Sequence, residues 1–529
     1  MLSREYRGLA GAGGVQDVAR DLSDALADAG YNVTVIMPCY GFINPEKQGF
    51  HPLPVSLDVD MNYTGEERRE QCGFHERIKG KVRMILIESE RFSEKQGIYT
   101  YTSRDAARDP SATPGTGYYD YFAMNLLHQK AALALGIYMG SPPDIIHCHD
   151  GHTALTPVMM RELEGFRVFY RNTAAVLTIH NAGLGYHQEI ADLAFARAVT
   201  GLPSFIIYSM LLNGMFDPLL AGSVYATVNT VSENYARELQ ETELDAITGW
   251  LGHALKDRNI RLEGITNGIN AAEYTPVNSV KLGIPAGYNP CQGDFMGKDA
   301  CRRAALELFS GRGENALARE FSDAGMERYG RISPSFPFPL FSVVSRLNNQ
   351  KGMDILADAM EGPLKDMPDF HLALLGNGEE HLEGRFRDIA GMKEYQGRFV
   401  FVSGFNTRLA NLIYAAGDFL LVPSRFEPCG LTDLIAQLMG NIPVARKTGG
   451  LVKVIDEKTG ISFEDLSVTA LENAISRAIT LYVKSRPSFL EMRKEGCRVA
   501  TEHYSWEQVV PRYIDLYEKA VSRLAALNR

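Results

Sequence analysis

Two kinds of hydrophobic pattern alternate along this chain. Short apolar-rich runs, residues 32–37, 143–150, 174–181 and 223–231, read as buried strands. Between them the apolar positions fall at helical spacing, as with Val15, Val18, Leu22 and Leu26, then along residues 119–135, and again after Ser232, a capping residue for a helix over 233–239. The second half repeats the alternation, with strands expected at 341–347, 371–378, 398–405, 419–423 and 442–445 and a helix over 353–360. Strands that alternate with helices imply parallel, doubly wound sheets. The fold class is therefore α/β, with two Rossmann-like doubly wound domains. Residues 60–118 are polar and read as irregular, and 276–338 mix Pro, Gly and charge around a basic helix near 298–308. The expected organisation is a domain over 1–275, a linker or insertion over 276–338, a second domain over 339–504 and a last helix over 505–529. That helix opens on the capping-box pattern Ser505-Trp-Glu-Gln508, and Val509, Tyr513, Leu516 and Tyr517 give it an apolar face suited to packing back on the first domain.

Composition narrows the function. A chain of 529 residues with 45% hydrophobic and 22% charged content has the core of a globular protein of more than one domain. A formal charge of −10 without a basic stripe excludes nucleic acid as the expected partner, so an anionic ligand needs a local basic pocket. The seven cysteines form no CxxC pair and no zinc spacing, which suggests unpaired thiols in a reducing compartment. No run of 18 apolar residues occurs and the first residues lack a signal-peptide core, so the expectation is a cytoplasmic protein without membrane contact.

Candidate chemistry sits where strands end. Residues 424–432, SRFEPCGLT, follow the apolar run 419–423 and precede a helical pattern. They form a loop at the carboxyl end of a strand, the edge at which open α/β sheets bind ligands. Glu427 and Cys429 lie there, and the amides of Gly430, Leu431 and Thr432 start a helix whose positive end suits a phosphate. Arg346 and Lys351 lie on the same edge, after the strand at 341–347. Two cations, a helix start and a carboxylate on one edge are what a nucleoside diphosphate leaving group requires. In the first domain, the glycine-rich run Gly8–Gly14 frees backbone amides to approach an oxygen-rich ligand, but it matches neither GxGxxG nor GxxxxGK[ST]. Only Met1 and Leu2 precede it as the first strand, so more of that strand is expected upstream. His147, His149, Asp150 and His152 invite a metal, yet successive strand residues point to opposite faces and no HExxH pattern accompanies them. No metal and no cofactor are expected. Asp150 and His180 are the better candidates as polar ligands for a hydroxylated substrate, with His147 and His149 as core histidines.

Together these stretches resemble the bacterial glycogen synthase and plant starch synthase family, glycosyltransferases of GT-B fold with two domains facing a cleft. The resemblance rests on SRFEPCGLT (424–432), SRLNNQKG (345–352), HCHDGH (147–152), TIHN (178–181), TNGIN (266–270) and RKTGGL (446–451). It implies retaining transfer of glucose from ADP-glucose, with UDP-glucose as the alternative donor, to the non-reducing end of an α-1,4-glucan such as glycogen. A weakly active or non-catalytic glucan-binding relative is the alternative from another class. In that picture Arg346 and Lys351 neutralise the diphosphate, Glu427 orients the sugar or stabilises its oxocarbenium-like transition state, and His180 touches the donor sugar. Gly13, Gly14, Asp17, Asp150, Asn181, Gly376, Phe405, Cys429, Gly430, Leu431 and Thr432 complete the substrate contacts, Phe405 standing where the family has a base-stacking tyrosine. Two departures are visible. The family's K-x-G-G-L-x-D loop reads Gly11-Ala-Gly-Gly-Val-Gln-Asp17, without the lysine, and Gly151 stands where a tryptophan usually follows Asp150.

Overall fold

The computed structural model describes residues 1–311, 325–334 and 337–527. Its contacts divide the chain into two compact units, Met1–Gly268 with Val509–Arg529, and Ile269–Gln508.

In the first unit the strands Val33–Pro38 and Val82–Glu88 pair in parallel, as do Ile145–His149, Ala174–Ile179 and Thr227–Thr230. The two groups are joined by Leu2, which bridges in parallel to Ile36 on one side and Cys148 on the other. Leu2 N–H donates to the His147 carbonyl at 2.8 Å, and Ile36 N–H donates to the Met1 carbonyl at 2.9 Å. The first strand therefore lies between the second and fourth of the parallel set, and the winding direction reverses beside it. Two sequence expectations are corrected here. Residues 60–118 are not all irregular: Arg69–Lys79 pairs antiparallel with both His51–Asp60 and Val82–Glu88. The segment looks polar because one face of the strand meets solvent while Cys72 and Phe74 fill the core. Residues 223–225 finish the helix Pro218–Tyr225, and the strand begins only at Thr227. Ser232 caps its helix as expected, accepting from Tyr235 N–H.

The second unit holds one seven-stranded sheet. Written by residue, its order is Glu327–Ile332, Arg398–Ser403, His371–Gly376, Leu340–Val344, Phe419–Val422, Ile442–Arg446 and Ile461–Phe463, all parallel except the first. Every residue of His371–Gly376 and Phe419–Val422 is buried, which is why these strands carry no polar alternation. Chain order reverses between Leu340–Val344 and Phe419–Val422. That reversal places the loops following these two strands side by side at a switch point. The described residues of 276–338, expected as a linker or insertion, fall within this unit; the helix Met296–Ser310 buries Cys301, Ala305 and Phe309 against the sheet's Leu340, Leu375 and Val400.

Cys291 and Cys497, 206 residues apart, form a disulfide, so the expectation of seven unpaired thiols is corrected. A bridge between residues so distant leaves no spacing signature. Among the described residues no helix is long and apolar enough to cross a membrane.

Candidate active site

In the second unit the two switch-point loops are knitted together by their backbones. The carbonyl of Gln350 accepts from Arg425 N–H at 2.9 Å and from Phe426 N–H at 3.3 Å. Asn348 caps the single turn Asn349–Lys351 by accepting from Lys351 N–H at 3.0 Å. The turn delivers the Lys351 ammonium to Glu427, where it donates to both carboxylate oxygens, at 2.8 and 2.6 Å. Ser424 Oγ adds a third bond to the same carboxylate at 2.9 Å. Burial alone would raise the Glu427 carboxyl; Lys351, the Ser424 hydroxyl and the nearby Lys453 charge overcome it and hold the group below its ordinary value of 4.5. Arg425, the other cation of the loop, pairs instead with Asp354 at 2.7 Å. Arg346 is exposed on the same edge.

The remaining predicted residues of this unit lie at the ends of neighbouring strands of the same sheet. Cys429 is buried, and the amides of Gly430, Leu431 and Thr432 reach no acceptor among the described residues. The helix they lead into, Thr432–Leu438, has only seven residues, so the loop amides themselves rather than a long helix dipole are what an anion would meet. Gly376 ends its strand, and its carbonyl accepts from Gly404 N–H at 3.2 Å, which holds Phe405 beside it with 65% of its surface exposed.

In the first unit, the glycine loop and the strand Ile145–His149 meet at the equivalent reversal. The loop's amides are partly committed: Glu5 accepts from Ala12 N–H at 2.6 Å and Gly13 N–H at 2.9 Å, and Tyr99 O–H donates to the same carboxyl. Gly13 is thus held by a carboxylate of the chain rather than left open to a ligand. The signal in the sequence was an acid just before a glycine run, and its reach back onto that run is a tertiary property. Gly14 precedes the helix Val15–Asp28, and Asp17 pairs with Arg7 at 3.1 Å, its carboxyl pushed by burial to about 6 although Arg7 opposes the shift.

Asp150 stands at φ 56°, a left-handed conformation that Asp tolerates better than most residues. One of its oxygens accepts from His180 N–H at 2.6 Å and Asn181 N–H at 3.3 Å. Its buried carboxylate therefore shapes the loop that carries His180. Burial raises the Asp150 carboxyl to about 7, against the two amides that favour its charge. His180 Nε2 lies 2.8 Å from His149 Nδ1, and burial lowers His180 to about 3, so it is neutral and acts by hydrogen bonding. His147 is a satisfied core residue. Thr178 Oγ1 gives its proton to Asn229 Oδ1, so His147 Nε2 donates to Thr178 and its Nδ1 accepts from Tyr517 O–H. Asn181 Oδ1 accepts from Gly183 N–H at 2.8 Å. Among the described residues no group of three His, Cys, Asp or Glu side chains is placed to hold a metal ion.

Residues 1–256 match the family described as starch synthase catalytic domain, and 339–480 match glycosyl transferases group 1. A glycogen synthase of Geobacter metallireducens is 31% identical over 99% of this chain and 96% of its own. The chain belongs to the glycogen synthase family. A glycogen synthase of Moorella thermoacetica is likewise 31% identical, over 99% of this chain and 97% of its own. The catalytic domain of starch synthase IV from Arabidopsis thaliana, solved bound to ADP and acarbose, superposes with a TM-score of 0.79 at 24% identity over 98% of each chain, which shows the fold. The protein is therefore a glycosyltransferase of GT-B type.

This glycogen synthase family member accommodates both of its departures structurally. At Gly11 the Gln16 carboxamide lies 1.8 Å from where a Cβ would be, so the glutamine side chain folds over the position the family gives to lysine. At Gly151 a Cβ would meet the carbonyls of His187 and Tyr186 at 2.4 and 2.5 Å, so the loop at 186–187 occupies the space a larger residue would enter. The Asp150 geometry gives a prediction. Asp150→Asn, which keeps an acceptor and tolerates the left-handed backbone, should be at least as stable as the wild type near pH 6, because burial raises the folded carboxyl to about 7 and only the acid must take up a proton on folding. Asp150→Ala orphans two buried amides and should cost about 2–3 kcal/mol by denaturant unfolding. Equal losses in the two variants would refute the capping role.

Proposed function

We propose that this glycosyltransferase transfers glucose from ADP-glucose to the non-reducing end of an α-1,4-glucan with retained anomeric configuration. The observation that carries the reading is the Lys351–Glu427 pair at the switch point of the second unit, beside three amides without acceptors. A cation and amides suit a diphosphate, and a carboxylate held in its charged form suits an oxocarbenium-like glucosyl centre. In the reaction the bond from C1 to the diphosphate oxygen breaks, a bond from C1 to the acceptor 4-hydroxyl forms, and the hydroxyl proton leaves with the nucleoside diphosphate. Lys351 and Arg346 meet the charge that grows on the departing phosphate. Glu427, relieved of part of its contact with Lys351, faces the positive sugar. The exposed Phe405 ring offers a face for the base. In the first unit neutral His180, held by Asp150, serves a sugar hydroxyl with Asn181 next to it in the chain.

The test is release of nucleoside diphosphate from ADP-glucose and UDP-glucose in parallel, with and without glycogen. The expected result is glycogen-dependent release of ADP, faster than that of UDP. Faster turnover of UDP-glucose would reassign the donor, and silence with both donors alongside glycogen binding would establish the non-catalytic alternative.

A further inference from the structure

The loop that presents the three unengaged amides is gripped from behind by a lysine outside every site residue named above. Lys453 closes the turn Gly449–Lys453, which overlaps the end of the RKTGGL stretch, and is buried. Its ammonium donates to the carbonyls of Cys429, Gly430 and Gly450, at 2.5, 2.8 and 3.1 Å, and lies 3.1 Å from the Asp433 carboxylate. Asp433 is fully buried in the first turn of the helix that follows the loop. The turn can come this close because Gly449 and Gly450 lack side chains: a Cβ on either would lie 1.9 Å from the Glu427 carbonyl or 2.0 Å from that of Cys429.

The geometry decides where the amides point. A trans peptide holds its C=O and N–H on opposite sides. With the carbonyls of Cys429 and Gly430 turned towards Lys453, the N–H groups of Gly430 and Leu431, which belong to those same two peptide units, face away from it. Gly430, at φ 75°, supplies the left-handed bend that lets both units present themselves alike. Burial opposes the Lys453 charge, but the Asp433 carboxylate beside it keeps the ammonium protonated.

We propose that Lys453 is a positioning residue for the donor site, its ammonium fixing the Cys429–Gly430 and Gly430–Leu431 peptides so that their N–H groups receive the donor's diphosphate. This rests on the reading of the loop as the nucleoside diphosphate site. Lys453 touches no substrate. Asp433 supplies the countercharge that makes a buried lysine tolerable, so the orienting force belongs to the three carbonyl bonds and not to Asp433.

The experiment compares wild type with Lys453→Met, Asp433→Asn and the double variant, reading ADP affinity by calorimetry, donor and glycogen KM, kcat, and melting temperature. Lys453→Met leaves a buried carboxylate unpaired, and the uncharged double variant guards against its failure to fold. In the double variant ADP affinity is expected to fall at least 10-fold and the donor KM to rise in step, with the glycogen KM unchanged; a purely structural role would lower the melting temperature without that split. Asp433→Asn, which keeps the carbonyl bonds, is expected to hold ADP within about 3-fold. A folded double variant that binds ADP as the wild type does would overturn the proposal. In the wild type, hydrogen exchange of residues 428–433 is expected to slow when ADP is added, and ADP binding without that protection would overturn it whatever the variants do. A wild type that binds neither ADP nor UDP would instead refute the donor-site reading itself.

Discussion

Lys351→Met is expected to lower kcat for glucosyl transfer by about 10²-fold or more while changing the donor KM by much less. The charge on the departing phosphate is larger in the transition state than in bound donor, so a cation aimed at it contributes most at the barrier. In the structure that cation is held 2.6 and 2.8 Å from the Glu427 carboxylate oxygens, and on the proposed reading it is shared with an incoming diphosphate. The substitution also strands Glu427 as a buried charge, which should cost about 3 kcal/mol of stability. The two effects separate in the double variant Lys351→Met with Glu427→Gln. Removing both partners should recover most of the lost stability, because no buried charge is left unpaired, yet activity should stay at or below that of the single variant. Steady-state kinetics and thermal melts on the three proteins check this. A Lys351→Met enzyme with normal kcat and a raised donor KM would place the lysine in ground-state binding alone.

Glu427→Gln should lower kcat further, by about 10³-fold, since the amide keeps the shape and the Ser424 contact but cannot oppose the positive sugar. Its acid stability should change in a defined direction. The folded Glu427 carboxyl lies below its unfolded value of 4.5, so the charged form is favoured by folding. The stability it contributes is fully present above about pH 4.5 and is lost as pH falls through the depressed folded value. Urea midpoints measured from pH 7 down to pH 3 should therefore fall less steeply for Glu427→Gln than for wild type. Parallel pH profiles would mean that the Lys351 contact does not hold the carboxylate in its charged form.

Much of the candidate site was legible because its residues lie in short loops after apolar runs. SRFEPCGLT and SRLNNQKG each hold their chemistry within nine residues or fewer of a strand end. The residues that escaped do so for one reason. Glu5 binds the amides of Ala12 and Gly13, and Lys453 binds the carbonyls of Cys429 and Gly430, through contacts that neither periodicity nor spacing records. A lysine two places after an apolar Leu451 reads as a surface charge until the fold buries it. Asp150 was legible as important but not in its manner of acting. Its carboxylate serves the loop of His180 through main-chain amides 30 and 31 residues away.

By itself, the sequence determined that this protein is built of two α/β repeats, because alternation between buried runs and helical spacing is a local property of each segment. It also determined which loops carry cations, carboxylates and glycines. Only the tertiary structure decided which loops meet. A strand buried on both faces carries no mark of its neighbours, so the reversal between Leu340–Val344 and Phe419–Val422, and the placement of Leu2 between Ile36 and Cys148, arise from pairing across the chain. Those pairings join Lys351 to Glu427, residues 76 apart, into one ion pair. They also set the disulfide between Cys291 and Cys497, because bond formation depends on distance in space and not along the chain.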